Sequence, residues 1–331
     1  MLKVGILGMG GMGWFHASRY LGMDDVRLIA VADIVPERLD LKKKVKMNID
    51  SGDIHAELSN LTTYSEAGTL IESADVDVID ICLPTDLHAE YAILAMKKGK
   101  HVLCEKPMAL NVRDADKMLQ TAKETKQKLM IAQVLRFWPE YLFLKQRIKD
   151  EAYGNLRSLN MWRFGSRPTW SPDNWFLDPK RSGGMMLDLH IHDVDYVNAI
   201  LALPENIAVF GRGSRGAQSI DVIHAVFSYM DGPQIHMHAG WSPAIISFQA
   251  GYDAWFDEAF IRYREGSITI FDTQGEIKNL TGLPTGDAYA SEIAYFLDCV
   301  RNNQEPTECM PESTRNSIAL IEQERVAMLA A

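Results

Sequence analysis

The sequence has no apolar run of the roughly 18 residues needed to cross a bilayer as a helix. Its first residues also lack the charged stretch and small-residue cleavage site of a secretory leader. Positive charge is in deficit, with 34 Lys and Arg against 44 Asp and Glu, a formal net charge of −10 and a pI near 5.4. A general nucleic-acid or anionic-membrane partner would need a basic face, so neither is expected. Cysteine is scarce. Cys82, Cys104, Cys299 and Cys309 form no C-x-x-C pair and no disulfide framework, which predicts reduced thiols and a cytoplasmic location. Internal repeats and low-complexity segments are absent as well. What remains is an ordinary globular composition, 47 % apolar and 24 % charged, over 331 residues, long enough for two domains with sizeable cores.

The first 33 residues carry the strongest local signal. An apolar run, Lys3 to Leu7, leads into Gly8-Met9-Gly10-Gly11-Met12-Gly13 and then into a helix-length stretch from Trp14 to Gly22. The spacing is G-x-G-x-x-G between a strand and a helix. Gly8 would make the tight turn, Gly10 would admit a pyrophosphate close to the backbone, and Gly13 would let helix and strand approach. Amide groups at the helix start would face the phosphates. A second apolar run, Val26 to Ala32, ends in Asp33, and 33 − 13 = 20 residues separate that acid from the last glycine. A carboxylate there accepts hydrogen bonds from a ribose 2′-hydroxyl and opposes a 2′-phosphate, and Ile34 adds no positive charge, so NAD is favoured over NADP. An empty fold of the same class is the competing reading.

Beyond Asp33 a charged helical stretch is read from Pro36 to Met47. Strand-like and helix-like segments then alternate to about residue 132, as in a parallel sheet built from βαβ units. Strands are expected near Leu61–Tyr64, Val76–Leu83, His101–Cys104 and Leu129–Ala132, with helices at Ser65–Glu72, Asp86–Lys98 and Asn111–Lys126. From Gln133 onward, alternating runs such as Ser158–Phe164, Val222–Tyr229, Ile235–Trp241 and Ser267–Phe271 predict an antiparallel sheet. Helices are read at Gly183–Leu201, Ala288–Asn302 and Glu312–Ala330. The expected fold is therefore α/β: a doubly wound Rossmann domain over residues 1–132, and over 133–331 an α+β domain with an open, mainly antiparallel sheet.

In open α/β sheets ligands gather at the carboxyl ends of the strands. Three segments lie where the chemistry is expected, at those strand ends facing the second domain. Leu83, Pro84, Thr85 and His88 follow the fourth strand and are read as lining the nicotinamide side of a dinucleotide, although Thr85 or Asp86 would equally serve as a helix cap. Glu105-Lys106-Pro107 follows the fifth strand. A lysine there can hold a substrate hydroxyl and stabilise the alkoxide character that develops as hydride departs, whereas most lysines are simply solvated. In the third segment, Ser182 to Asp195, Asp188 and His192 are four residues apart and share a helical face, with Asp195 three further on the same side. An imidazole can take the alcohol proton while a carboxylate orients it. An ordinary polar pair on a solvated face fits that spacing equally well.

These residues together resemble the Gfo/Idh/MocA family of oxidoreductases, which includes glucose-fructose oxidoreductase and inositol dehydrogenases. The resemblance spans essentially the whole chain. It rests on the glycine turn, the run Ala95–Pro107 ending in E-K-P, the segment Arg136-Phe137-Trp138-Pro139, and the helix carrying Gly183-Gly184, Asp188, His192 and Asp195. It implies a catalytic set of Lys106, Asp188 and His192, in which His192 accepts the proton while Lys106 and Asp188 hold the hydroxyl. It also implies that the C-terminal sheet makes a homodimer or homotetramer contact. One departure is His190, where the family often has a small residue, so the substrate's surroundings are expected to differ here.

Arg136, Arg163 and Trp175 are read as substrate contacts, with Trp138, Arg167, Trp170 and Tyr289 behind them, because guanidinium forks and aromatic faces suit polyhydroxylated rings. Each is also an ordinary packing residue. No metal is expected, since hydride transfer needs none and His190 and His192 diverge on a helix; a second H-x-H, His236-Met237-His238, falls in a predicted strand. The expected activity is NAD-dependent oxidation of a secondary alcohol in a sugar, cyclitol or sugar derivative. An NAD-dependent glycosidase working through transient oxidation and a catalytically silent NAD-binding regulator stay open.

Overall fold

The computed structural model describes residues 1–40, 58–213, 220–275, 277–280, 283 and 286–330. Two compact units result. One comprises Met1–Val134 with Asp287–Arg315, and the other Leu135–Gly286 with Asn316–Ala331. The chain thus returns late to the first unit, which a single division at residue 132 does not anticipate. Local sequence carries no mark of where a segment docks.

The first unit holds a six-stranded parallel sheet of β1 (Leu2–Leu7), β2 (Val26–Ala32), β3 (Thr62–Tyr64), β4 (Val78–Ile81), β5 (His101–Glu105) and β6 (Leu129–Ala132). Their order is β3-β2-β1-β4-β5-β6, the doubly wound arrangement that reverses direction at β1. Every residue of β4 and β6 is buried, so these strands read as continuous rather than alternating runs. The helices are α1 (Gly11–Leu21), α2 (Ala67–Ser73), α3 (His88–Lys97) and α4 (Val112–Thr125). Asn111 caps α4 by accepting from the Asp114 amide at 2.9 Å, and Lys126 ends it in the left-handed region. After β2 the described chain forms a short 3₁₀ turn, Pro36–Arg38; the rest of the helix expected to Met47 extends past residue 40, outside the described residues.

The second unit opens with α5 (Pro139–Lys149) and builds an eight-stranded sheet from β7 (Leu156–Ser166), β8 (Asn206–Arg212), β9 (Val222–Ser228), β10 (Gln234–Ser242), β11 (Gln249–Phe256), β12 (Ala259–Arg264), β13 (Ser267–Asp272) and β14 (Ile277–Leu280). The order is β14-β13-β12-β11-β7-β10-β9-β8, antiparallel throughout except that β7 and β10 run parallel. One face is core, with Leu159, Met161, Ile235, Met237, Phe227, Tyr252 and Ile261 all buried. The other carries Phe210, His224, His238 and Trp162 in register, with Trp255, Phe260 and Phe271 along neighbouring strands. Between β7 and β8 come the short α6 (Pro179–Ser182), a π-helical turn (Met186–His190) and α7 (Ile191–Ile200). The continuous α-helix expected over Gly183–Leu201 is therefore shorter and begins with a wider turn. α8 (Ala288–Arg301), capped by Asp287, belongs to the first unit, and α9 (Pro311–Ala330) closes the chain.

The glycine spacing has a direct steric cause. A Cβ on Gly13 would lie 1.8 Å from the Gly8 carbonyl oxygen, so the first turn of α1 can rest on the end of β1 only without a side chain there. Gly13→Ala is expected to destabilise the protein by about 2 kcal/mol, the scale of a forced steric insertion into packed structure. Urea denaturation measures this; a midpoint equal to that of the parent refutes the steric reading.

Candidate active site

The glycine turn has the shape a dinucleotide requires. Gly8 has φ of 90°, and a Cβ on it would meet the Cys82 carbonyl oxygen at 2.5 Å, so the turn needs glycine there. Gly10 is different. A Cβ on it would meet only the Arg38 guanidinium, at 4.0 Å, leaving open the side from which a pyrophosphate would approach. Gly10, Gly11 and Met12 are at least partly exposed, whereas Met9 and Gly13 are buried. No side chain caps the start of α1, so its amide end is suited to an anion. Asp33 is buried at the end of β2, where its Oδ2 accepts from the Met9 amide at 2.8 Å and its Oδ1 from the Val35 amide at 2.8 Å. Arg38 reaches the same carboxylate at 3.3 Å, and Ile34 is exposed beside it. These residues fit NAD.

Lys106 is part-exposed between buried neighbours, Glu105 and Pro107. Glu105 Oε2 accepts from the Lys106 amide at 3.1 Å, and Glu105 Oε1 lies 3.1 Å from His16 Nε2 on α1. The other ring nitrogen, His16 Nδ1, is 2.8 Å from Asp80 Oδ2, which also accepts from the Tyr20 hydroxyl at 2.8 Å. Burial by itself would lower the His16 pKa, but the Asp80 carboxylate outweighs it and holds the imidazole well above its usual range. Glu292 on α8 joins this group. Burial, then the charge of Glu105, push its carboxyl well up, favouring the neutral acid. On the other side of the lysine, His88 is buried with Nδ1 2.8 Å from the Pro107 carbonyl and Nε2 2.8 Å from the Leu83 carbonyl. His88 thus ties together the turns after β4 and β5, with its pKa lowered by burial. Thr85 is buried, while Leu83 and Pro84 are part-exposed.

In the second unit, the turn Met186–His190 and the start of α7 present Asp188 and His192 outward. They are the only two positions from Met185 to Val197 that are not buried. A turn closed by i→i+5 bonds brings residues four apart closer to one line than an α-helix does. Asp195 departs from the expected shared face: it is buried, paired in two-pronged fashion with Arg136 at 2.8 Å through both oxygens, and accepts from Ser317 at 2.8 Å. Arg163 is likewise buried, 2.7 Å from Asp193 and 3.2 Å from the Tyr141 hydroxyl. Both guanidinium forks read as substrate contacts are therefore engaged by internal carboxylates. Trp175 is part-exposed and stacked on Phe176 at 3.9 Å, Trp170 is exposed, and Arg167 pairs with Asp221 at 2.7 Å. Tyr289 packs edge-on against Phe15 at 4.7 Å.

Residues 2–133 match the family described as oxidoreductase family, NAD-binding Rossmann fold, and residues 141–275 match the GFO/IDH/MocA C-terminal domain. The chain belongs to the Gfo/Idh/MocA oxidoreductase family. Among its relatives, the myo-inositol 2-dehydrogenase of Thermotoga maritima is 30% identical over 213 residues, 64% of this chain and 58% of that protein. The match thus spans little more than half of that relative's length. The UDP-N-acetylglucosamine 3-dehydrogenase of Acidithiobacillus ferrooxidans is 27% identical, over 99% of this chain and 98% of its own. An oxidoreductase from Agrobacterium radiobacter, solved with NAD+, L-tartaric acid and magnesium, has a TM-score of 0.82 at 16% identity, covering 99% of this chain and 96% of its own, a likeness of fold.

The buried group of His16, Tyr20, Asp80 and Glu292 escapes a reading by motif. One signal was available: Asp80 is a charge within the otherwise apolar Val78–Ile81, and a carboxylate in a buried strand must find a partner. Asp80→Asn is expected to destabilise the protein by about 3 kcal/mol near pH 6, the scale of a broken buried pair. His16, raised in the folded state, contributes stability that is full below its unfolded value near 6.5 and lost as pH rises through the folded value. Urea denaturation of parent and variant across pH should therefore show the gap narrowing towards alkaline pH. A widening gap contradicts the assignment.

Proposed function

We propose that this family member catalyses reversible NAD-dependent oxidation of a secondary alcohol in a sugar, cyclitol or sugar derivative. The observation that carries the reading is the selective exposure of Asp188 and His192 in a stretch that is otherwise buried from Met185 to Val197. Two polar side chains kept at the surface of a buried helical turn suit a site better than a solvated face, which would expose its apolar-spaced neighbours too. Bound NAD+ supplies the hydride acceptor. Lys106 holds the reacting hydroxyl and stabilises its developing negative charge. His192 accepts the hydroxyl proton, and Asp188, four residues away on the same line, orients the imidazole and the substrate. Relatives named as dehydrogenases of inositol and of a nucleotide sugar support a polyhydroxylated substrate.

Of the substrate candidates outside this set, Trp175 keeps a part-exposed aromatic face for a sugar ring. Arg136 and Arg163 act instead through the carboxylates they hold. Asp33, already accepting two backbone amides at 2.8 Å, favours a ribose hydroxyl over a 2′-phosphate. The outer face of the eight-stranded sheet, with Phe210 69% and Trp255 51% exposed, is proposed as the contact between copies of this chain. Cys82, Cys104, Cys299 and Cys309 are thiols outside any disulfide, in keeping with a cytoplasmic setting, and no described helix is long and apolar enough to cross a membrane.

Lys106→Met and His192→Asn are each expected to lower kcat by about a thousandfold, within the range of a lost acid–base or charge-stabilising group, while the Kd for NAD+ stays within a few-fold of the parent. Following NADH at 340 nm over a panel of sugars, sugar acids and inositols identifies the substrate. Near-parental turnover in either variant defeats the role assignment. Release of product from aryl glycosides without net NADH would place the chain among redox-neutral enzymes.

A further inference from the structure

The residues behind the exposed pair form a connected set on the buried side of the same turn. His190, between Asp188 and His192 in sequence, is wholly enclosed, with Nε2 3.0 Å from Glu324 Oε1 on α9, which is also fully buried. This placement answers the expectation that His190 would reshape the substrate's surroundings, because its ring faces the opposite way from the open positions. α9 meets this region at two further points. Arg325 donates to the Gly183 carbonyl at 2.9 Å at the entrance to the turn, and Ser317 donates to Asp195 at 2.8 Å on α7. Glu324 and Arg325 lie seven and eight residues after Ser317, so the three form one stripe of α9.

We infer that the His190–Glu324 pair is the positioning device for the exposed dyad, fixing the Met186–His190 turn against α9 so that Asp188 and His192 stay aligned. The inference rests on the functional reading of that dyad. A π-helical turn is uncommon and needs tertiary contacts to hold it in place of an α-helical one. The His190 contact lies at its last residue, where the two geometries join. The charged groups facing His190 come from three elements: Glu324 on α9, Asp193 on α7 and Arg163 on β7. Burial would make the ring neutral, but the Glu324 carboxylate raises its pKa, giving a charge-assisted bond. His190 Nδ1, Asp193 Oδ2 and Glu324 Oε2 have no hydrogen-bond partner among the described residues, so the single Nε2–Oε1 contact is the polar link from this ring to α9.

Glu324→Ala breaks the link, whereas Glu324→Gln keeps an oxygen that can accept from His190. Glu324→Ala is expected to lower kcat at least tenfold with the KM for NAD+ unchanged, and to speed amide hydrogen exchange across residues 186–192. Glu324→Gln should retain at least half the parental kcat and parental exchange. If Glu324→Ala does not accumulate as folded protein, His190→Ala carries the same expectations. Unchanged exchange across 186–192, a kcat within threefold of the parent, or equal losses in the Gln and Ala variants each overturn the inference. Exchange is read without substrate. A parent that oxidises no polyol therefore defeats the functional reading, while exchange still decides whether the pair holds the turn.

Discussion

A charged group enclosed in protein has lost its water and must find compensating charge, and in both units the partly open polar residues sit directly in front of such compensated groups. His16 has no exposure and stands 2.8 Å from Asp80 and 3.1 Å from Glu105. Because Glu105 also accepts from the Lys106 amide, the placement of the lysine depends on a histidine in the helix that follows the glycine turn. Removing Asp80 would take from His16 its nearer counter-charge, and removing Glu105 would take from the Lys106 amide its side-chain acceptor. The cofactor turn, α1 and the exit of β5 are thereby parts of one electrostatic arrangement within the first unit.

The second unit applies the same constraint in a different geometry. Asp193 is held by Arg163, Asp195 by Arg136 and Ser317, and His190 by Glu324. Three polar positions of one helical segment, His190, Asp193 and Asp195, are anchored to α9, to β7 and to the turn before α5, leaving Asp188 and His192 part-exposed. Arg136 and Arg163 are the counter-ions of Asp195 and Asp193, the work a guanidinium fork does when it is buried with a carboxylate.

Much of this was legible in the chain. Gly13 of the G-x-G-x-x-G turn works through sterics with Gly8, close in sequence, Asp33 stands at a fixed distance beyond it, and the strand–helix alternation to residue 132 follows from short-range periodicity. The spacing of Asp188 and His192 survives the change from α to π geometry, since residues four apart share a face in both. Other features were hidden. β8, β11, β12 and β14 escape the reading although Pro204 and Gly213 flank β8, Glu265-Gly266 follows β12 and Gly275 precedes β14, because a turn marks where a strand ends and not which strand it pairs with. Arg163 and Asp193 are 30 residues apart, and His190 and Glu324 are 134 apart, so nothing local couples them.

The sequence by itself determined the dinucleotide turn, its acid at the end of β2, the E-K-P exit and the paired spacing of Asp188 and His192, because each shows as residue types at a fixed spacing along a strand, a turn or a helix. Only the tertiary structure decided which polar side chains face outward and which are locked inside. That choice follows from burial and from partners far along the chain. It separates His192 from His190 two residues earlier, leaving one part-exposed and the other enclosed against Glu324.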